Sequence, residues 1–366
     1  MRIRKLRLCA FTMVGLFLFV AHSAHGAGNV YEQLVAASKA EMAKTGGKLR
    51  MSLDWPKPDT KNVLPAFSKA YPFIKEISYK REVGIGPFGQ FLIQYKQGKN
   101  PPYDIMHIAS EFQAQYWKEG AFVKPPFSYE ELAKHIPADW PKLDPRGMDP
   151  EGKFLSTTGN ARGNAWNPTL VPKGKEPTSW DACLDPMWKG KFLIDTRNKY
   201  QAFQHDPKTR EWILKWIKGV VANGAVLTRG QGTIMRKVAS GEYPLACGVN
   251  YHTANRMIDK GVKNVKFVLP DPVPLEIGTR LYVAKWSKTP ATTQLWALWI
   301  TTGGQSVLED YAYRGFPWDP ASKKHPLAKG KYIAICGAEC ARKWDEYNRE
   351  YQELLGLPAA KPKKKK

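Results

Sequence analysis

Short alternating segments and amphipathic helices follow one another along the first third of the chain. Residues 27–48 place apolar side chains at helical spacing, and residues 49–55 alternate apolar and polar positions before Pro56. The same pattern predicts further strands at 74–80 and 103–109 and further helices at 59–71, 86–98 and 111–120. This alternation predicts a parallel sheet with helices on both faces.

The alternation resumes after residues 122–151, a stretch rich in proline and aromatic side chains. From there the pattern predicts extended segments at 154–160 and 164–171, strands at 245–249, 265–269 and 280–284, and helices at 208–223, 251–260, 290–301 and 343–355. Trp212 and Trp216 recur at helical spacing, which favours a buried helix face over a ligand-stacking role.

The most distinctive stretch is residues 177–197, which read Pro-Thr-Ser-Trp-Asp-Ala-Cys-Leu-Asp-Pro-Met-Trp-Lys-Gly-Lys-Phe-Leu-Ile-Asp-Thr-Arg. It predicts a short helix, a turn at Asp185-Pro186 and a strand over 191–194. The stretch resembles the phrase that opens the second lobe of bacterial solute-binding proteins of ABC importers. Weaker matches at 163–172 and 303–308 occur in the family's order, and the resemblance extends from about residue 48 to 320.

The resemblance implies an α/β fold of the two-lobed, type II periplasmic binding protein class, with a parallel-rich sheet flanked by helices in each lobe. The predicted boundaries are a signal peptide at 1–26, lobe 1 at 27–158, lobe 2 at 159–274, a return to lobe 1 at 275–335, a C-terminal helix at 336–356 and a basic tail at 357–366. The implied function is capture of a small anionic solute, or a metal–anion complex, between the lobes of a monomer. Delivery would be to an ABC permease in the inner membrane.

The N-terminus has the layout of a secretory signal. A basic head at 2–7 precedes an apolar run at 8–21 and small residues at 22–27. The run is too short for an ordinary membrane anchor, although an uncleaved anchor is the alternative. Because no later segment holds 18 uninterrupted apolar residues, we expect a soluble periplasmic protein.

Length and charge narrow the class further. A chain of 366 residues is long enough for two lobes, and its formal net charge is +23. The excess persists when the signal and the lysine-rich tail are set aside, so the body of the protein attracts anions. Nucleic-acid binding is disfavoured, since no recognition motif accompanies the charge and the chain is predicted to be exported.

Four cysteines remain when Cys9 is removed with the signal. An even number in an oxidising compartment predicts disulfides, and of the three possible pairings we favour Cys183–Cys247 with Cys336–Cys340. A zinc site is disfavoured because the spacing is Cys-x-x-x-Cys, without a second close pair or a nearby histidine.

Polar residues at the carboxyl ends of the predicted strands are the candidate ligand contacts, since ligands bind at that edge of an open α/β sheet. The candidates are Ser52, Trp55 and Ser110 in the first lobe, and Arg162, Asp195, Arg197, Gly232, Thr233, Asn250 and Tyr251 in the second. Residues 229–233, Arg-Gly-Gln-Gly-Thr, also begin a helix whose N-terminus suits an anion. Arg162, Arg197 and Arg229 supply guanidinium groups that match carboxylate, phosphonate or phosphate.

Several alternatives stay open. Ferric members of the family carry two adjacent tyrosines where this chain has Tyr251 and His252, so a ferric receptor is a weak alternative. A polyamine receptor would want several carboxylates, for which Asp54, Asp195 and Glu276 are the candidates. Residues 84–89 fit Gly-x-Gly-x-x-Gly without a suitably placed acid, so we expect no cofactor. No catalytic motif is present, which disfavours an exported enzyme using Ser52 or His252, and a protein that binds anionic surfaces is a further alternative.

Overall fold

The computed structural model describes residues 28–53, 55–82, 85–107, 115–319 and 322–358. The predicted signal peptide, Cys9, Asp54, Ser110 and the basic tail from residue 359 lie outside the described residues. No helix in the described ranges is both long enough and apolar enough to cross a membrane.

The described chain alternates strands and helices along its length. The strands are β1 Lys48–Leu53, β2 Glu76–Arg81, β3 Ile105–Met106, β4 Phe122–Val123, β5 Phe154–Trp166, β6 Phe192–Asp195, β7 Val226–Thr228, β8 Leu245–Asn250, β9 Lys266–Val268, β10 Val273–Ala284 and β11 Ile333–Cys336. The helices are α1 Val30–Lys44, α2 Lys57–Ala70, α3 Ile85–Lys96, α4 Tyr129–His135, α5 Gln201–His205, α6 Arg210–Ala222, α7 Gln231–Ala239, α8 Tyr251–Asp259, α9 Pro290–Thr301, α10 Gln305–Ala312, α11 His325–Ala328, α12 Ala338–Arg342 and α13 Trp344–Leu354.

The first lobe is built on a parallel three-stranded sheet in the order β2-β1-β3. The central strand β1 buries Leu49, Met51 and Leu53, which follow the two-residue period of a strand. Helices α1, α2, α9 and α10 contribute to the same apolar core. Helix α9 is buried on nearly its whole circumference, and its apolar run, residues 295–300, is not confined to one stripe.

The second sheet has the order β11-β10-β5-β8-β6-β7, and β6 is parallel to both β7 and β8. The long strands β5 and β10 pair antiparallel from Leu275↔Ala161 to Tyr282↔Phe154. We call the part around β6, β7 and β8 the second lobe. The C-terminal end of β10 pairs with β4, and β4 packs in the same apolar core as β3 of the first lobe. The strands β5 and β10 therefore run between the two lobes.

These two strands are longer than the sequence pattern predicts. The segment expected at 154–160 continues without a break to Trp166, whereas residues 167–171 of the second expected segment are not strand, and β10 begins at Val273 rather than at residue 280. Both proposed crossing points, at 158/159 and at 274/275, therefore fall inside a strand. Pairing of β5 with β10 provides the backbone partners that let each strand continue across the junction.

The tryptophans of the 177–197 stretch are core residues of the second lobe. The predicted short helix is two 3₁₀ turns, Asp181–Leu184 and Pro186–Trp188, and β6 follows them. The Trp180 indole N–H donates to the Pro272 carbonyl at 2.7 Å, and the Trp216 indole N–H donates to the Trp180 carbonyl at 2.8 Å. These bonds give the indole N–H of each buried ring a hydrogen-bond partner. The stretch therefore holds the chain in place just before β6 begins.

Both predicted disulfides are confirmed. Cys183–Cys247 links the 3₁₀ turn before β6 to strand β8, and Cys336–Cys340 joins the end of β11 to α12. The first bond spans a sequence separation of 64, whereas the second spans only 4.

Replacing Cys183 and Cys247 together with alanine is expected to lower the free energy of unfolding by about 4 kcal/mol, because the long loop they close becomes free in the unfolded chain. The matched control is the Cys336→Ala, Cys340→Ala double variant, for which the same relation gives about 2 kcal/mol. Urea unfolding of both variants measures the difference. Equal losses would mean that loop closure does not set the contribution of these bonds.

Candidate functional site

A cavity of about 1060 Å³ opens between the two lobes. Its second-lobe side is formed by the segments that follow β6, β7 and β8, and its floor by the middle of β5 and β10. The described lining residues are His107, Asn160, Arg162, Thr196, Arg197, Lys199, Arg229, Gly230, Gln231, Gly232, Asn250, His252, Thr253, Glu276, Gly278, Thr279, Arg280, Arg314, Trp344, Asn348, Gln352, Leu357 and Pro358. The carboxyl ends of parallel strands thus meet at the cavity, as expected for an open α/β sheet.

Positive side chains dominate this cavity. Six arginine and lysine residues line it, namely Arg162, Arg197, Lys199, Arg229, Arg280 and Arg314. Glu276 is the one carboxylate among the described lining residues. Low-dielectric walls concentrate the field of these charges, so the cavity attracts anions.

Arg162 and Glu276 form a buried ion pair on the cavity floor. Arg162 is 4% exposed, and its Nη2 donates to Glu276 Oε2 at 2.5 Å while Nη1 donates to the Asn160 carbonyl. Burial lowers the pKa of Arg162. Burial alone would raise the pKa of Glu276, but Arg162, Lys199 and Arg280 together hold it below its ordinary value. The carboxylate stays ionised and cancels one of the nearby positive charges.

Arg197 is held in place by Asp195 behind it. Its Nε and Nη2 donate to the two Asp195 oxygens at 3.1 and 2.8 Å, and the Gln231 amide donates to Asp195 Oδ2 at 2.9 Å. The Asn250 backbone N–H donates in turn to Gln231 Oε1 at 2.7 Å. Burial acts to raise the pKa of Asp195, but hydrogen bonds from Arg197 and the charge of Lys199 lower it. This network connects the ends of β6 and β8 through α7.

Lys199 lies two residues after Arg197 in the same loop. Burial, together with the positive charges of Arg162 and Arg197, lowers its pKa to about 8. An anion placed among these three groups would offset their repulsion, so their arrangement favours the binding of negative charge.

The N-terminus of α7 also faces the cavity. Gly230 has φ 105°, a conformation that side chains with a Cβ rarely adopt, and Gly230 and Gly232 both line the cavity. The Thr233 hydroxyl accepts a hydrogen bond from Arg236 at 3.1 Å, and Thr233 is not among the lining residues. The glycines rather than the threonine therefore present the helix end to the cavity.

His252 lines the cavity and is only 8% exposed, and its Nδ1 has no hydrogen-bond partner. Burial lowers the pKa of His252 well below its ordinary value, and the charges of Arg314 and Arg256 lower it further. The ring is neutral at physiological pH. It offers a ligand hydrogen-bonding capacity without adding charge.

Among the described residues, five predicted contacts do not line the cavity: Asp195 and Thr233, whose hydrogen bonds are given above, and Ser52, Trp55 and Tyr251. Ser52 is buried in β1, the central strand of its sheet, and Trp55 is 1% exposed and packs against Trp296 with ring centroids 6.3 Å apart. Tyr251 is 2% exposed and lies between Phe267 and the Lys324 ammonium. Burial raises the pKa of Tyr251, which opposes the phenolate form that ferric iron prefers. Ser110 lies outside the described residues.

The structure brings four of the predicted contacts to the cavity, namely Arg162, Arg197, Gly232 and Asn250, and the predicted helix end adds Arg229. His252, which the sequence offered only under the ferric and enzyme alternatives, also lines it. Sequence reasoning missed Lys199, Arg280 and Arg314. The only available signal was for Lys199, whose position beside Arg197 in one polar loop places it at the same strand end. Arg280 lies within a strand and Arg314 follows α10, so neither has a motif around it.

In the parts of the chain that the structure describes, no three histidine, cysteine, aspartate or glutamate side chains lie close enough together to hold a metal ion. No tyrosine is present among the described lining residues either. N–H groups of arginine, lysine and amide side chains predominate among the polar groups of the described lining, and they suit anions better than hard cations.

Comparison with known proteins gives the family and the fold. The sequence model of the family "Bacterial extracellular solute-binding protein" matches residues 89–331. The chain is similar to iron-bound HitA from Pseudomonas aeruginosa, with 18% identity, a TM-score of 0.61, and coverage of 84% of this chain and 99% of that one.

Two further solved structures are similar to this chain. The substrate binding protein of an ABC transporter from Agrobacterium tumefaciens has 15% identity, a TM-score of 0.62 and coverage of 85% and 96% of this chain and that one. AgtB from A. tumefaciens R10, in complex with agropinic acid, has 15% identity, a TM-score of 0.56 and coverage of 85% and 99%. These likenesses confirm the predicted two-lobed α/β fold class.

Proposed function

This chain belongs to the bacterial extracellular solute-binding proteins, and from that premise we propose that it captures a small anion between its two lobes for an ABC importer. The anion would bind at the second-lobe strand ends, against Arg197, Lys199 and the N-terminus of α7. A membrane permease would receive it from the closed form. The predicted secretory signal supports action in the periplasm.

The observation that carries the proposal is the charge of the cavity. Its six cationic side chains outnumber the two carboxylates that pair with them, Glu276 with Arg162 and Asp195 with Arg197. The positive charge left over is matched by a carboxylate, phosphonate or phosphate group through bidentate guanidinium bonds. Oriented N–H groups at the α7 N-terminus add to the attraction.

The same charge argues against the two cationic alternatives. A polyamine needs several carboxylates, but Asp195 is already occupied by Arg197 and Glu276 by Arg162. Ferric iron needs hard oxygen donors, but Tyr251 does not line the cavity, and the Lys324 ammonium lies over its ring. An iron–anion complex would have to reach the protein through its anion alone.

Capture would use closure of the lobes about the paired strands β5 and β10. Contacts between the lobes are already present, because Arg256 of α8 donates to both oxygens of the buried Asp59 of α2 at 2.8 and 2.7 Å. Tyr313 adds a hydrogen bond of 2.6 Å to Asp259. A ligand favours the closed form only through contacts that it makes with both sides, and His107 offers one from the first lobe.

Native mass spectrometry of the mature protein, isolated from a periplasmic extract without refolding, tests the proposal. We expect one small anion per chain, released intact on denaturation. A bound polyamine or a bare metal ion would contradict the proposal, and release of a chemically altered solute would favour the exported-enzyme alternative.

Anion affinity is expected to fall about tenfold as the pH rises through about 8, because Lys199 loses its proton there. Below its pKa the ammonium attracts the ligand, and above it the neutral amine does not. The facing carboxylates Asp195 and Glu276 stay ionised, since their pKa values are lowered, and His252 stays neutral, since its pKa lies well below the range. Titration calorimetry between about pH 6.5 and pH 9.5 measures the slope, with a ligand whose own charge is constant over that range.

The matched control for this experiment is Lys199→Arg, which keeps a positive charge at every pH tested. Its affinity should be nearly flat between the same limits. If the variant shows the wild-type slope, Lys199 is not the group that controls binding.

A further inference from the structure

We propose that the C-terminal helix α13 is a specificity wall of the ligand cavity, which contacts the uncharged, hydroxyl-bearing body of an organic anion. The inference rests on the proposed function and adds the ligand class and a set of contact residues. The match to the family model ends at residue 331, so this helix and its contacts lie beyond the part of the chain that the match covers.

One face of α13 fixes the helix on the second lobe. Tyr347, Tyr351 and Leu355 are buried in the core that also contains Trp180 and the Cys183–Cys247 bond. The Tyr351 hydroxyl donates to the Asp195 carbonyl at 2.6 Å. Docking of α13 is therefore tied directly to the residue that positions Arg197.

Further hydrogen bonds join the helix to the loop after β6. The Gln352 amide donates to the Thr196 carbonyl at 2.6 Å, and the Asn198 amide donates to the Tyr347 carbonyl at 2.9 Å. Thr196 and Asn198 flank Arg197 in the sequence. The helix and the anion-binding loop consequently form one rigid unit, as a precise binding site requires.

The other face of α13 looks into the cavity. Trp344, Asn348 and Gln352 all line it, and they recur every four residues, the spacing that places side chains on one side of a helix. Neither the Trp344 indole N–H nor the Asn348 side-chain amide makes a hydrogen bond with any described residue. Their polar groups are available to a ligand, next to the positively charged part of the cavity.

The start of the helix is fixed from the first-lobe side. Arg342 donates to Asp149 at 2.6 Å and pairs with Glu151 at 3.0 Å, and both acids precede β5. The Cys336–Cys340 disulfide constrains the turn just before Arg342. The helix is therefore held at both ends.

The chemistry of this wall indicates the ligand class. A cavity of about 1060 Å³ is far larger than a single oxyanion, so an anionic group bound at Arg197 leaves space beside α13. An amide offers both a donor and an acceptor to hydroxyl groups, and an indole offers an apolar face with one N–H. Uncharged hydrogen-bonding groups and a flat ring fit the body of a sugar phosphate or a sugar acid.

The test measures binding of glucose 6-phosphate, gluconate and inorganic phosphate to the mature chain by titration calorimetry. We expect the wild type to bind at least one of the two organic anions. Asn348→Ala and Trp344→Ala should each weaken that binding about tenfold while changing the affinity for inorganic phosphate by less than about twofold. Glu353→Gln, an exposed change on the same helix, is the control and should leave both affinities unchanged.

The outcomes separate this inference from the proposed function. If Arg197→Ala removes organic-anion binding but the Asn348 and Trp344 variants bind as the wild type does, the wall is refuted and the anion receptor stands. Binding of inorganic phosphate alone has the same consequence. If none of the three probes binds, the wall is refuted as a site for sugar anions, and the anion receptor is then decided by the wider panel of anions. If Arg197→Ala binds as well as the wild type, the anion site at Arg197 fails and the wall fails with it. Because Asn348 is only half-buried, its variant keeps the test valid should Trp344→Ala fail to fold.

Discussion

Replacing Arg197 with alanine is expected to weaken anion binding by roughly 100- to 1,000-fold, the largest effect on binding that the cavity predicts. The guanidinium lies at the carboxyl end of β6, and two of its nitrogens bind Asp195. Loss of the side chain removes a charge-assisted contact and also leaves the Asp195 carboxylate facing the anion. Titration calorimetry with any anion that binds the wild type measures the change.

Arg236→Ala is the matched control for this change. It removes the same charge from α7, but Arg236 is exposed and does not line the cavity. We expect less than a threefold effect, mostly through the net charge, and we expect it to shrink in salt. Equal losses for the two variants would show that the overall charge, rather than a specific site, attracts the anion.

Replacing Lys324 with methionine is expected to destabilise the protein by about 3–5 kcal/mol, the largest effect of a single substitution on stability. Lys324 is fully buried, and its ammonium donates to Glu309 Oε2 at 2.5 Å and to the Gly315 carbonyl at 2.8 Å. Methionine fills a similar volume but leaves the buried Glu309 charge without its counter-ion. Urea unfolding gives the loss in free energy.

The neighbouring residue provides the control for Lys324. Lys323 pairs with Asp310 at 3.6 Å and its side chain is 49% exposed, so Lys323→Met should cost less than about 0.5 kcal/mol. The double variant Lys324→Met, Glu309→Gln should recover part of the loss, because the unpaired charge is then removed. A double variant less stable than Lys324→Met would contradict the explanation.

Much of the fold is predictable from local patterns in the sequence. β1, α9 and β8 follow from apolar periodicity and from the residues at their ends, and the presence of two disulfides, although not the choice among three pairings, follows from the even number of cysteines in an exported chain. The full lengths of β5 and β10 do not follow. Their central residues are polar, among them Asn160, Arg162 and Arg280, and the strands persist there because they pair with each other and, from Arg162 onward, because β5 pairs with β8. The paired residues of β5 and β10 are more than a hundred positions apart in the sequence, so the pattern of apolar and polar residues near each strand does not reveal the pairing.

Residues of the candidate site can be predicted from the sequence when they lie at the ends of strands. They cannot be predicted when side-chain packing decides whether they face the cavity or the core. Arg197 and Arg229 follow second-lobe strands and Asn250 ends one, and all three line the cavity. Trp55 also follows a strand, yet it turns into the first-lobe core against Trp296. Rotation of a side chain toward the core or the cavity is decided by distant helices, which the sequence pattern does not reveal.

The C-terminal wall is a second example of this limit. Residues 343–355 are predictable as a helix, but the family resemblance used to locate the site ends before them. Only the docked structure brings Trp344 and Asn348 to the cavity, through contacts that Tyr347 and Tyr351 make with the second lobe.

Thermal unfolding of the mature protein against a panel of solutes tests the central claim most directly. The panel contains phosphate esters, phosphonates, carboxylates, ferric iron with and without citrate, and spermidine. A specific ligand at about 100 times its Kd stabilises the folded state by about 2.7 kcal/mol, which raises the Tm clearly. We predict that one class of anions raises the Tm of the wild type and leaves that of Arg197→Ala unchanged. Stabilisation by spermidine or by ferric iron alone, with no response to any anion, would contradict the account.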